Sequence, residues 1–125
     1  IKGVYKVLGA STDMSSFWDA DGGHGTACAK ILLSVAPDMD LYLIASGSST
    51  STRGIAYANS LGCRVMSYSV SWDSDWSLFR NEVNALYNKT SNSGLVFSSG
   101  GNAGKYAIQY PSCHENAVAV SGCSL

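Results

Sequence analysis

Apolar and polar positions follow one another along this chain in short blocks with two different periods. "GVYKVLGA" alternates and predicts a strand that ends near Gly9. Ser11 to Gly23 is polar and turn-rich, hence a loop. From Gly25 to Ser34 the apolar positions step at helical spacing, with Ala27, Ile31 and Val35 in line and Cys28 and Leu32 beside them. "DLYLIAS" is a continuous apolar run of the kind that forms a strand buried on both faces. The Ser/Thr loop "GSSTST" is able to cap a helix over Thr52–Leu61, and Gly62 stands where a helix end favours glycine. "CRVMSYSV" predicts another strand. Trp76, Phe79, Val83, Leu86 and Tyr87 then share one helical face, and Gly94 ends that helix. "LVFSS" and "NAVAVSG" read as strands, with the tight loop "GGNAG" after the first of them.

Strands alternating with helices predict an α/β fold, three layers deep, with a mostly parallel sheet covered by helices on both faces. In such sheets chemistry gathers where the carboxyl ends of the strands open into loops. The loops after Leu8, Ala45, Val70, Phe97 and Val120 are therefore the informative ones. At 125 residues, with no internal repeat and no linker, residues 1–125 read as one domain.

Composition changes this picture in one respect. Charged residues make up 14% of the chain, against about 25% in an average soluble domain. Either much of the chain is buried, or some of its surface is covered by something outside the sequence. A net charge of −1 without a basic patch argues against a nucleic-acid partner. No apolar run approaches the ~18 residues that would argue for a membrane span. Abundant Ser and Thr with few Lys and Glu lean towards an extracellular or secreted protein, and Asn88-Lys89-Thr90 is a glycosylation acceptor pattern. The four cysteines, Cys28, Cys63, Cys113 and Cys123, form no C-x-x-C pair, so a zinc knuckle is not indicated. They permit three disulfide pairings or none.

Chemistry enters at His24, one of two histidines, placed after two glycines at the start of the predicted helix. Taken alone it reads as a base, as a metal ligand beside Cys28 four residues on, or as a helix-start residue without a task. Asn102 in "GGNAG" taken alone reads as a turn residue.

Three ordered stretches decide between these readings. "GHGTACAKILLSVAPDMDLYLI" resembles the histidine segment of the subtilisin-like serine proteases, the subtilases: G-H-G-T, a small-residue helix, V-A-P and a strand. "GIAYANSLGCRVMSYSVSW" resembles their helix and the strand that ends in S-L-G. "GLVFSSGGNAGKYAIQYPSCHENAVAVSGCS" resembles the strand leading to A-A-G-N, then Y-P-A and an "AVGA"-type strand. The resemblance implies a partial subtilisin-like fold and a peptide or protein substrate. It makes His24 the general base and Asn102 the side-chain donor of the oxyanion hole. Ser69, Val70 and Ser71 become the strand bordering the substrate's P1 and P4 side chains, and Ser99, Gly100 and Gly101 the facing wall of the P1 pocket. In the same register Cys28 is a small residue behind the base, so no metal and no cofactor is expected.

The sequence departs from the family pattern in several places. Nothing in "IKGVYKVLGASTDMSSFWDAD" matches the D-[TS]-G strand of the family's acid, and no G-T-S-[MA] segment for the nucleophile follows Asn102. Ser71 stands where the family prefers glycine, and the Ser46–Arg53 loop is brief. The reading is therefore a portion of a serine endopeptidase domain whose acid and nucleophile lie on flanking segments of the same protein. The alternative is a non-catalytic subtilase-like domain that keeps its cleft for binding or as a scaffold.

Overall fold

A computed structural model of the chain describes residues 3–6, 23–45, 51–71, 94–104 and 107–123. The predicted helix through Trp76–Tyr87 and the acceptor Asn88 lie outside these residues, as do Leu8 and most of the Ser11–Gly23 and Ser46–Arg53 loops. The chain divides into two compact units, Ile1–Gly54 and Ile55–Leu125.

In the first unit, β1 (Gly3–Lys6) pairs in parallel with β2 (Tyr42–Ala45), Gly3 opposite Tyr42 and Lys6 opposite Ala45. Between them runs α1 (His24–Val35), the crossover that a parallel pair requires. Helix and strand thus form where the two apolar periods place them. The apolar line on α1 is nevertheless uncovered. None of its side chains is buried, and Ile31 and Val35 are 64% and 81% exposed. Leu41, just before β2, is buried.

In the second unit, β3 (Val65–Tyr68), β4 (Leu95–Ser99) and β5 (Ala117–Val120) form one parallel sheet with β4 in the middle. Met66 lies opposite Val96 and Tyr68 opposite Ser98; Ser98 in turn faces Ala119. The ladders run past the strand ends, because Leu95 donates its N–H to the Arg64 carbonyl (2.9 Å) and Gly100 to that of Val120 (2.8 Å). All pairs among the described strands are parallel, as the α/β reading requires. The described strands, however, make two sheets rather than one. Burial on both faces also fails to hold along β4. Val96 and Ser98 on one face are buried, whereas Leu95, Phe97 and Ser99 on the other are half-buried.

The helix α2 (Ser51–Ser60) leads into this sheet, with Ile55 and Ala58 buried. Its end is fixed by Gly62 at φ +78°, with Gly62 N–H on the Asn59 carbonyl and Cys63 N–H on that of Ala58, both 3.0 Å. This is the Schellman pattern, which only a left-handed residue completes. The Asn59 side chain then accepts the Gly94 N–H (2.8 Å) and ties the helix end to the start of β4. All four cysteines are free thiols. Burial raises the Cys63 thiol pKa, partly offset by a backbone hydrogen bond.

Candidate active site

His24 is the first residue of α1, preceded by Gly23 in the left-handed region (φ +92°). The imidazole is exposed, and its Nε2 lies 3.8 Å from the Cys28 sulfur one turn further on. Cys28 is half-buried, and among the described residues no three His, Cys, Asp or Glu side chains gather where they could hold a metal ion.

The remaining candidates belong to the second unit, where the topology brings them together. Because β3 and β4 are parallel neighbours, the segments leaving their carboxyl ends emerge side by side. Ser69, Val70 and Ser71 leave β3; Gly100, Gly101 and Asn102 leave β4. Val70 is exposed, Ser71 half-buried, Gly100 buried and Asn102 exposed. The β4 segment turns back sharply. Ser99 Oγ accepts the Gly101 N–H (3.2 Å), and Gly101 takes φ +87°.

One residue that the sequence reading passed over sits between these two segments. Gln109 donates its backbone N–H to the Gly100 carbonyl (3.0 Å), and its own carbonyl accepts the Ser112 hydroxyl (2.7 Å). Its side-chain oxygen accepts from Ser71 Oγ (2.8 Å) and from the Asn102 backbone N–H (3.3 Å). The carboxamide lies flat on Gly101: a Cβ added there would stand 2.6 Å from its Cδ and 2.7 Å from its Cγ. The only signal in the sequence is one polar side chain between Ile108 and Tyr110, too little to assign a place.

Behind Gln109 the chain is firmly held. Tyr110–Pro111 is a cis peptide, and Tyr110, Pro111 and Ser112 are all buried. The Tyr110 ring meets that of His114 edge-on, 6.2 Å between centroids. Burial pushes the Tyr110 phenol well above its ordinary pKa, with Cys113 adding to the shift. His114 Nδ1 accepts the Asn116 N–H (3.1 Å), which requires that nitrogen to be unprotonated. Burial lowers the His114 pKa, against the opposing charge of Glu115.

Gly101→Ala combines two costs at this turn. A left-handed backbone costs an L-residue roughly 1–2 kcal/mol. The new methyl also displaces the Gln109 carboxamide, at about 1 kcal/mol for each hydrogen bond lost. The expected outcome in urea unfolding is a loss of about 2 kcal/mol or more. A loss below about 0.5 kcal/mol would contradict the close approach of Gln109 to Gly101.

The sequence profile described as the subtilase family, peptidase family S8, matches residues 9–124. The chain belongs to the subtilase family. Its similarity to thermitase from Thermoactinomyces vulgaris is 35% identity over an alignment of 135 residues, which takes in 93% of this chain. The same alignment covers 47% of thermitase, so the chain spans about half the length of that relative. The parallel α/β architecture is that of a partial subtilisin-like fold, and the family is one of serine peptidases. Subtilases are commonly secreted, and no described helix is long and apolar enough to cross a membrane.

Proposed function

We propose that this chain is the portion of a subtilisin-like serine endopeptidase domain that carries its general base and its oxyanion donor. Residues 1–125 belong in this reading to a single subtilase-like domain whose Asp and Ser segments are supplied by flanking sequence. The observation that carries the reading is the parallel pairing of β3 and β4, with Ser69–Ser71 and Ser99–Asn102 leaving at the same strand ends. Membership of the subtilase family supports it.

The chemistry follows from residue types. A serine hydroxyl is a poor nucleophile until a base removes its proton. His24 takes that proton and returns it to the leaving amine of the cleaved peptide. The Asn102 side-chain amide donates to the oxygen that becomes negative in the tetrahedral intermediate, and it does so without titrating. Ser69 to Ser71 border the P1 and P4 side chains, with Ser99, Gly100 and Gly101 opposite. The substrate is a peptide or protein, and an extracellular location suits both the family and the composition.

The test uses a fluorophosphonate probe together with a quenched peptide library. Residues 1–125 alone, with no serine in the nucleophile's sequence setting, are expected to show neither labelling nor cleavage. The full-length protein is expected to be labelled at one serine outside this segment, and His24→Ala is expected to suppress that labelling. Labelling of the full-length protein that is indifferent to His24→Ala overturns the reading.

A further inference from the structure

We propose that His114 is an acid-sensitive latch on the turn that leads into β5, its neutral imidazole holding the turn closed and its protonated form releasing it. The proposal stands apart from the protease reading, since His114 has no part in that chemistry. Three observations carry it. First, His114 is the hub of the turn. Its N–H donates to the Pro111 carbonyl (3.0 Å), its carbonyl accepts the Ala117 N–H (3.0 Å), and its ring Nδ1 accepts the Asn116 N–H (3.1 Å). The last of these bonds needs a lone pair on Nδ1. Protonation puts a hydrogen there instead, and two donors then point at each other.

Second, the ring is held in place. It is half-buried and meets the buried Tyr110 ring edge-on, 6.2 Å between centroids. Asn116, whose N–H it takes, is half-buried as well. A backbone N–H in such a place costs free energy when its acceptor is lost.

Third, the surroundings of the ring set it to titrate in acid. Burial favours the neutral form and lowers the pKa from its ordinary 6.5. The titratable groups around the ring among the described residues are Tyr110, Cys113 and Glu115. Phenols and thiols are uncharged in acid. Glu115 is the charged neighbour, and its carboxylate opposes the effect of burial without reversing it. A group whose folded pKa lies below its unfolded one stabilises the fold above the unfolded value, and that contribution is lost as pH falls through the folded value. The latch is therefore shut at neutral pH and opens as pH falls below 6.5. The strand beyond it has its own support, in the ladder to β4 and in the Gly100 N–H on the Val120 carbonyl. Opening thus frees the turn and leaves the sheet paired.

The experiment is hydrogen exchange of the full-length protein, corrected for intrinsic rates and read residue by residue by fragmentation mass spectrometry. It is run at about pH 7.5 and about pH 4.5, roughly one unit above and two units below the ordinary imidazole value. The quantity compared is the protection of the Asn116 N–H relative to that of β5. In wild type this ratio is expected to fall at least about fivefold in acid, the change that corresponds to one hydrogen bond at ~1 kcal/mol. His114→Asn keeps a neutral acceptor able to reach the N–H two residues on, and its ratio is expected to be the same at both pH values. His114→Phe keeps a ring against Tyr110 but has no acceptor, and its ratio is expected to be low at both. Glu115→Gln removes the charge that favours the imidazolium, so the midpoint of the transition is expected to move to lower pH.

A wild-type ratio that is indifferent to pH overturns the proposal, as does a His114→Asn variant whose ratio falls as far as that of wild type. Protection in His114→Phe equal to wild type at neutral pH overturns it too, because the ring nitrogen then holds nothing. Loss of the transition in Glu115→Gln would make Glu115 the titrating group, with the same result. General acid unfolding lowers turn and strand together and leaves their ratio fixed, so it counts against the latch.

Discussion

His24→Ala in the full-length protein is expected to lower kcat on the order of 10⁶-fold, the size of this loss in subtilisin itself. The magnitude follows from what the imidazole does. In the proposed role it removes the serine proton on attack and delivers it to the leaving group, so both halves of the reaction stall without it. KM is expected to change little, since an exposed imidazole at the start of α1 contributes little to holding the peptide. The residual rate, still about 10³–10⁴ over water, belongs to the oxyanion hole and to substrate binding. Active-site titration followed by hydrolysis of a peptide anilide measures the effect. A reduction of less than tenfold would remove His24 from the role of base.

The second large effect belongs to Asn102. Asn102→Ala is expected to lower kcat by about 10²–10³-fold with KM nearly constant, again the size seen for this kind of donor in subtilisin. The donor acts on charge that is present only in the transition state, so ground-state binding does not register its loss. The backbone hydrogen bond from Asn102 to Gln109 survives the substitution, because it uses the peptide N–H. The loop therefore keeps its anchor, and the measured loss reports the side chain. A proportional rise in KM with kcat unchanged would instead make Asn102 a substrate-binding residue.

Much of the fold was legible in the sequence because its signals are local. "DLYLIAS" and "LVFSS" are short apolar runs and became β2 and β4. The predicted Thr52–Leu61 helix forms one residue earlier, at Ser51–Ser60, and Gly62 ends it as its position suggested. The apolar spacing of α1 gave the helix but not its surroundings. Ile31 and Val35 share a face as expected, yet both are exposed. Periodicity marks which face a helix offers for cover and carries no information on what covers it. Nor did the apolar run of β4 reveal that only its Val96–Ser98 face is buried, since a continuous run reads alike whether one layer or two lie against it.

The placement of the candidate residues was legible where they leave neighbouring strands and obscure where a loop folds back. Placing Ser69–Ser71 beside Ser99–Asn102 needed only the expectation that their strands are neighbours, and β3 and β4 are paired. Gln109 escaped because its role depends on a seven-residue return from Asn102 that has no periodicity. The doublet Gly100-Gly101 likewise does not reveal which glycine turns left-handed. Only Gly101 does, at φ +87°, and this turn lays the Gln109 carboxamide against its Cα.

The Gln109 bridge also bears on how this loop can change by mutation. From either glutamine codon, single-nucleotide changes reach only Lys, Arg, Glu, His, Leu and Pro, or a stop. None of these is glycine or alanine, so no single step removes the side chain that covers Gly101. Proline comes nearest in bulk, but it lacks the N–H that Gln109 gives to the Gly100 carbonyl. The other replacements keep that space filled or bring a charge into it. A lineage carrying Gln109 therefore needs at least two nucleotide changes to clear the space above Gly101, and each intermediate loses the bonds to Ser71 and Asn102 or adds a charge beside them. In genetic terms, the bridge from Ser71 to Asn102 is easier to keep than to leave.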